Sequence, residues 1–325
     1  MTRYFLAIIS IAFILFFSAC STEVDNYAEY KDITIVYGIL ETGVDTTFIK
    51  ITKAFLGPGN ALLFARNPDS SNYAGKLNVS LLGRRNSVDL PAIILDTITK
   101  RNKLAGDSIF YFPEQKLYYT TTPLVADAAY TLVVDKGDNE IRSSTTLVKE
   151  FSIQQPINRI NFAATVPTPI RWSSAESGKR YEVSMKFFYK ELHPGNPDTI
   201  SKSLTWFLGT RKSNSLSGGE TLEITYLGET FYNLLGNQLS SGLNIKRFAG
   251  NVDVVISSGG DDLSTYIDVN APSNSIVMEI PEFTNIENGY GIFSSRKTIS
   301  RNYRLSVQSE VKLVEDFNWG FVLNR

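Results

Sequence analysis

The chain contains few of the side chains that enzymes most often use for chemistry. His193 is its one histidine and Cys20 its one cysteine among 325 residues. A Ser–His–Asp or Cys–His arrangement would need His193 as its base, and metal sites usually draw on several His or Cys ligands. His193 lies in the segment 192–197, Leu-His-Pro-Gly-Asn-Pro, which is typical of a solvated turn. The sequence therefore predicts no catalytic residue, no metal site and no cofactor, and it contains no phosphate-binding, dinucleotide-binding, GxSxG or HExxH motif.

Carboxylates are the remaining candidates, because glycoside hydrolysis needs only a pair of them. Glu282 with Glu287, or Asp261 with Asp262, would be such pairs, but all four are more simply surface or turn residues. The stretch 257–262, Ser-Ser-Gly-Gly-Asp-Asp, combines acidic residues with glycine as some calcium loops do. It lacks the ligand spacing of an EF-hand, and we interpret it as a tight turn. A glycoside hydrolase is thus the least favoured hypothesis.

Aromatic side chains suggest binding rather than catalysis. Trp172 and Trp206 fit buried strand positions, whereas Trp319 is the tryptophan most free to stack on a sugar. The segment 281–296 interleaves aromatic residues with glycines. It is either a structured loop docked on a sheet, with Phe293 as its plug and Arg296 capping carbonyls, or a loop that binds a partner or ligand. The candidate binding residues are Asn288, Tyr290, Phe293, Arg296 and Trp319.

Residues 1–19 have the features of a secretion signal: a positive charge at Arg3, an apolar run and two small residues at the end. The segment 17–20, Phe-Ser-Ala-Cys, resembles a bacterial lipobox, in which the signal is removed and the cysteine is acylated. The apolar run is short for a membrane span of about 20 residues, and several acyl chains anchor a protein stably. We therefore predict lipidation at Cys20, rather than ordinary secretion or a transmembrane anchor, and a polar tether over 20–31.

Ser21 follows the cysteine, where an inner-membrane retention signal would have Asp. The predicted location is thus the outer membrane, on its periplasmic or cell-surface face. Lys and Arg number 32 against 33 Asp and Glu, a balance that argues against nucleic acid as a partner. Once the signal is removed and Cys20 is acylated, no thiol is free for a disulfide.

Period-2 alternation of apolar and polar residues dominates the rest of the chain and predicts an all-β fold. The predicted strands include 76–81, 130–134, 141–145, 181–190, 252–256, 276–280 and 303–307. Helical periodicity is scarce; it predicts one helix near 229–240, with shorter ones at 60–73 and 311–317. A break at Gln155-Pro156 suggests two tandem domains, 32–150 and 151–325.

Two resemblances refine this prediction. The segment around Trp172 and Tyr181 resembles the early strands of a fibronectin type III module, and the strand 130–134 resembles a late strand of an immunoglobulin-like sandwich. Together with the lipobox, the stretches 36–40 and 48–51 and the segment 288–296, the chain resembles uncharacterised cell-envelope lipoproteins of Bacteroidota. Some of these are encoded beside TonB-dependent outer-membrane receptors.

The resemblance implies a non-enzymatic accessory or interaction protein, with such an uptake receptor as partner. A surface glycan-binding protein is the alternative, favoured if Trp319 and Tyr290 are exposed and coplanar.

Overall fold

The structure is a computed structural model that describes residues 33–54, 61–102, 114–137, 139–239, 244–272 and 282–323. The predicted signal peptide, Cys20, the tether and the strand 276–280 lie outside these residues. Strands account for 51% of the structure and helices for 15%. The all-β class predicted from alternation is therefore confirmed.

Eighteen strands and five helices occur in the described residues. The strands are β1 Thr34–Glu41, β2 Thr47–Lys53, β3 Asn78–Arg85, β4 Val88–Asp89, β5 Ile93–Ile94, β6 Asp96–Lys100, β7 Gln115–Thr120, β8 Ala129–Asp135, β9 Glu140–Thr146, β10 Ile153–Gln155, β11 Arg159–Ile160, β12 Thr168–Ser173, β13 Arg180–Leu192, β14 Thr199–Lys212, β15 Thr221–Tyr226, β16 Lys246–Gly259, β17 Gly289–Leu305 and β18 Phe321–Val322. The helices are α1 Ala61–Arg66, α2 Pro68–Ser71, α3 Gly228–Gln238, α4 Asp261–Val269 and α5 Val307–Glu315.

One large sheet runs through the molecule in the order β14-β13-β16-β17-β1-β2-β7-β6. Its central strand, β17, is 17 residues long and has different partners along its length. The first half pairs in parallel with β1, from Gly289 opposite Thr34 to Arg296 opposite Glu41. The second half pairs antiparallel with β16, from Arg296 to Tyr303. A single strand thus joins the two halves of the sheet.

Two smaller sheets complete two separate hydrophobic cores. The sheet of β3, β4, β5, β8 and β9 contributes Val79, Leu81 and Leu132 to one core, where they meet Val36 and Ile49 of the large sheet. The sheet β10-β12-β15 contributes Trp172 and Ile224 to the other, which also contains residues of β13, β16 and α3. Inward and outward residues alternate along these strands because successive side chains point to opposite faces.

The division of the chain into domains 32–150 and 151–325 stays a prediction. The structure adds that residues late in the chain pack in the first core. Ile286 and Phe293, late in the chain, pack in the first core with Val36 and Leu40. Leu147 belongs to this core and Val148 to the other. The chain therefore crosses between the cores near residue 147 and returns to complete the first one.

Several predicted elements correspond to observed ones. The hairpin predicted over 130–145 is β8 and β9, and the strand predicted over 181–190 is the longer β13. Helix α3 lies where 229–240 was predicted, and α1 with α2 lies within 60–73. Residues 311–317 overlap α5, which begins earlier, at Val307, because Ser306 caps it by accepting a hydrogen bond from the Ser309 amide.

Two predicted local structures were wrong. The stretch 257–262 is not a tight turn: β16 continues to Gly259, and α4 begins at Asp261. The segment 289–296 is not a loop, because its backbone pairs with β1 along its whole length. Its glycines accommodate the neighbouring strand, since a Cβ on Gly291, whose φ is +108°, would lie 2.0 Å from the Val36 carbonyl oxygen.

Candidate interaction surface

The outward face of the first half of the large sheet includes several exposed aromatic side chains. Val36, Ile49 and Phe293 point inward to the first core, so the residues that alternate with them point away from it. These outward residues include aromatic side chains on four consecutive strands, β17, β1, β2 and β7. We call this the aromatic face; it consists of Tyr290, Tyr37, Phe48 and Tyr119.

Three of these rings are substantially solvent-exposed: 45% for Tyr37, 36% for Phe48 and 47% for Tyr290. The strand register places Tyr37 opposite Ile292 of β17 and Lys50 of β2, so that Tyr290 and Phe48 are its diagonal neighbours in opposite directions along β1. Single exposed apolar residues are normal on protein surfaces, whereas adjacent ones indicate a binding site. The aromatic face is thus the described surface best suited to bind another molecule.

Helix α4 borders the aromatic face on one side. It packs against β17, and Tyr266 of this helix hydrogen-bonds the Tyr37 hydroxyl. Burial of the Tyr37 ring, then this hydrogen bond and the nearby Tyr266 hydroxyl, raise the pKa of Tyr37 to about 12. The Tyr37 side chain is therefore held in place and neutral at physiological pH.

A lysine of β6 borders the aromatic face on the opposite side. Lys100 Nζ is 4.8 Å from the centroid of the Phe48 ring, within the range of a cation–π contact. The Phe48 and Tyr119 rings are 6.3 Å apart and tilted by 33°. The aromatic rings match the composition of protein–protein interfaces, where aromatic residues are enriched.

The predicted binding residues of 288–296 do not act as one group. Phe293 is 0% exposed and packs in the first core, so the folded protein cannot present it to a partner. Asn288 Nδ2 donates to the Glu140 carbonyl, 3.0 Å away. Arg296 Nε donates to Glu41 Oε2 at 2.9 Å, and so pairs with a carboxylate rather than capping carbonyls. Only Tyr290 of this set belongs to the aromatic face.

Trp319 lies against the second core, and its ring contacts Phe317 and helix α3. It stacks on Phe317 with ring centroids 4.0 Å apart and planes 7° from parallel. It also lies against helix α3, where a Cβ on Gly236 would be 2.7 Å from its Cζ2. The two rings that a glycan platform would combine lie apart, because Trp319 packs against the second core and Tyr290 points away from the first.

His193 lies beside a buried ion pair. Its Nε2 is 3.3 Å from Glu191 Oε2, while Glu191 Oε1 accepts a 2.8 Å hydrogen bond from Arg247 Nε. Both Glu191 and Arg247 are buried. A buried charge that loses its partner costs several kcal/mol, so this pair has a clear structural role.

The carboxylates considered for hydrolysis or calcium have structural surroundings. Asp261 and Asp262 line a cavity of about 300 Å³ between the two halves, together with hydroxyls of Ser144, Ser177 and Ser294. Both lie in the first turn of α4, where the helix dipole stabilises negatively charged side chains. Asp262 also accepts a hydrogen bond from Asn285 Nδ2 at 2.9 Å. Among the described residues, no three His, Cys, Asp or Glu side chains converge as a metal site would need.

Sequence reasoning missed Tyr37, Phe48 and Tyr119. A signal was present in β1, whose sequence TIVYGILE is apolar at outward as well as inward positions. Such runs are typical of strands covered on both faces. Within the described ranges, no helix has the length and apolar character needed to cross a membrane.

Comparisons with known proteins identify no family. No protein-family model matches the chain, and no curated protein matches it. Among solved structures, the chain is similar to the C-terminal globular domain of an oligosaccharyltransferase from Pyrococcus abyssi, with 13% identity and a TM-score of 0.24. The match covers 68% of this chain and 43% of that structure. So low a structural similarity carries no functional argument.

Proposed function

We propose that this chain is a lipid-anchored outer-membrane protein with a non-enzymatic accessory role, and that its aromatic face binds a protein in the same membrane. A TonB-dependent uptake receptor is the proposed partner, in line with the resemblance to envelope lipoproteins. The observation that carries the proposal is the presence of three exposed aromatic rings on adjacent strands, Tyr37, Phe48 and Tyr290. Burial of such exposed rings against a partner lowers the free energy of the complex.

The position of the aromatic face in the chain supports a partner at the membrane. Strand β1, which contributes Tyr37, is the first element of the described residues. The segment 20–32 precedes it and, fully extended, spans about 45 Å. A protein anchored at Cys20 therefore keeps this face within reach of membrane-embedded neighbours.

We also propose that the two cores belong to two β-sandwich-like units of the immunoglobulin or fibronectin type III kind. In support, each core lies between part of the large sheet and a smaller sheet. The buried Trp172 and Tyr181 rings are 5.9 Å apart, as expected for the early strands of a fibronectin-like unit.

Site-specific photo-crosslinking tests the proposed partner. Benzoylphenylalanine placed at Tyr290 in the lipidated protein, in its own membranes, is expected to crosslink a receptor in stoichiometric amount. The matched control is Phe207, which is 59% exposed on β14, an edge strand of the same sheet. Mass spectrometry identifies the crosslinked species.

The expected result is a receptor that crosslinks from position 290 and not from position 207. Substituting Tyr37→Ser and Phe48→Ser should then reduce the crosslink at least several-fold. Recovery of the uncrosslinked protein alone, or the same species from both positions, would argue against the aromatic face as the interface.

A further inference from the structure

We propose that the cavity between the two halves of the molecule binds a neutral polyhydroxylated ring, such as a monosaccharide. The cavity has a volume of about 300 Å³, which is enough for one sugar ring. Strand β9, strand β17 and the start of helix α4 contribute to its walls. None of the four aromatic-face residues lines it, so this site is additional to the proposed interface and does not depend on it.

Two buried hydroxyl groups in the walls of the cavity lack a partner in the protein. Ser294 of β17 is 1% exposed and Thr145 of β9 is 8% exposed, and both line the cavity. Within the described residues, neither side chain forms a hydrogen bond. Most buried polar side-chain atoms are hydrogen-bonded, because an unpartnered one costs free energy. These two hydroxyls therefore depend on water or a ligand in the cavity.

The start of α4 adds both acceptors and donors to the cavity. Asp261 and Asp262 line it, and neither carboxylate forms an ion pair within the described ranges. The first N–H groups of a helix have no acceptor within the helix, and no side chain caps those of α4. Carboxylate acceptors and amide donors thus lie side by side at this wall.

The contacts around Ser294 place α4 close to its hydroxyl. A Cβ on Gly260, the residue before α4, would be 3.3 Å from Ser294 Oγ. Asn285 Nδ2 donates to Asp262 Oδ2 at 2.9 Å and also to the Phe293 carbonyl at 2.7 Å. One amide group therefore holds Asp262 beside the residue that precedes Ser294.

The wall formed by β9 is fixed to β17 in the same way. Ser295 Oγ donates to the Thr146 carbonyl at 2.7 Å. Ser294 and Thr145 are the chain neighbours of these two residues. The two unpartnered hydroxyls and the end of α4 are thus within reach of one small molecule.

The mixture of donors and acceptors selects the class of ligand. A hydroxyl group both donates and accepts, whereas an ammonium group only donates and leaves the amide N–H groups of α4 without an acceptor. A phosphate or a carboxylate would accept from those amides but would be repelled by Asp261 and Asp262. A ring with several hydroxyls and no charge satisfies all of these groups at once.

Isothermal titration calorimetry on the full lipidated protein, in a detergent without a sugar headgroup, tests this site. The probes are D-glucose, D-galactose, D-mannose, N-acetyl-D-glucosamine and myo-inositol. At least one of them is expected to bind saturably. Cyclohexanol, n-butylamine and inorganic phosphate should each bind about ten-fold more weakly or less, since they lack the several hydroxyls or the neutral charge.

Two variants assign the binding to the cavity. Ser294→Ala removes a single buried oxygen, and Asp261→Asn changes an exposed side chain that forms no hydrogen bond within the described residues. Each should weaken binding of the best probe about five-fold or more. The matched control is Asp45→Asn, an exposed carboxylate outside the cavity, which should leave the affinity unchanged. Far-ultraviolet circular dichroism confirms that each variant is folded.

Absence of saturable binding by all five polyhydroxylated probes would overturn the proposal. Butylamine or phosphate binding as tightly as the best of them would also overturn it, because the ligand would then be charged. Unchanged affinity in both Ser294→Ala and Asp261→Asn would place any binding elsewhere. None of these outcomes bears on the receptor interface, which the crosslinking experiment tests separately.

Discussion

Tyr37 connects the aromatic face to its neighbouring helix through one hydroxyl group. Its pKa is raised from 10.0 to about 12, mainly by burial and then by the hydrogen bond with Tyr266. Since the folded pKa lies above that of the unfolded chain, neutral Tyr37 stabilises the fold fully below pH 10.0. This contribution is lost as the pH rises from there to about 12.

Replacing Tyr37 with Phe should therefore simplify the alkaline titration of the protein. Ultraviolet absorbance of tyrosinate, followed to strongly alkaline pH, is expected to lose one group that titrates near pH 12, where Tyr226 also titrates. The unfolding free energy should also fall less steeply in this pH range. In Tyr266→Phe, Tyr37 should titrate at lower pH because its hydrogen bond is gone. A high-pH titration that Tyr37→Phe leaves unaltered would disprove the assignment.

Individual buried charges show how far the sequence can predict a residue's surroundings. Alternation along β13 places Glu191 on the same inward face as Tyr181, Phe187 and Tyr189. A buried carboxylate was thus predictable from the phase of the strand. Its partner was not, because Arg247 lies opposite Glu191 only once β13 pairs with β16. That pairing depends on residues more than fifty positions apart.

At the level of elements, the contact of β1 with β17 determines how the first core closes. Gly38 lies opposite Phe293, and a Cβ at position 38 would be 2.9 Å from the Phe293 ring. The missing side chain of Gly38 leaves room for this ring to enter the core. Phe293 is therefore an element of packing rather than of recognition.

Replacing Phe293 with Ala should lower the free energy of unfolding by about 3–5 kcal/mol, the usual cost of deleting a fully buried Phe. Tyr290→Ala, three residues earlier and half exposed, is the matched control and should cost much less. Chemical denaturation followed by circular dichroism measures both. Equal losses in the two variants would contradict the inward position of Phe293.

Strands with clear alternation were predictable, whereas β17 was not. Residues 181–190 alternate at every position except Phe188 and form most of β13. Residues 289–296 contain two glycines, two serines and a nearly continuous apolar run, which suggested a loop. Their strand conformation is imposed by parallel pairing with β1, a tertiary effect that local sequence does not encode. The aromatic face was missed for the same reason, since it forms only when four strands lie side by side.

For the whole molecule, the continuous strand β17 predicts that the two halves unfold together. All three tryptophans, Trp172, Trp206 and Trp319, lie in or against the second core. Tryptophan fluorescence therefore reports on that core, while far-ultraviolet circular dichroism reports on the strands of both. The two signals should change at the same denaturant concentration in a single transition.

The variant Ile49→Ala creates a cavity in the first core and tests whether the two halves unfold together. It should lower the fluorescence midpoint even though no tryptophan contacts Ile49. Ile200→Ser, on the exposed surface of β14, should leave the midpoint nearly unchanged. If Ile49→Ala shifts only the circular dichroism signal, the halves unfold independently.

The pairing of β1 with β17 also bears on the order in which the protein can fold. Glu41 and its partner Arg296 are separated by 255 residues. When the chain is synthesised from its N-terminus, one edge of β1 stays unpaired until residues 289–296 have been made. Such distant pairing makes folding slow and leaves unpaired strands prone to aggregation. The first half of the protein, although made first, can reach its native state only near the end, so a chaperone that holds it unfolded until then would raise its yield.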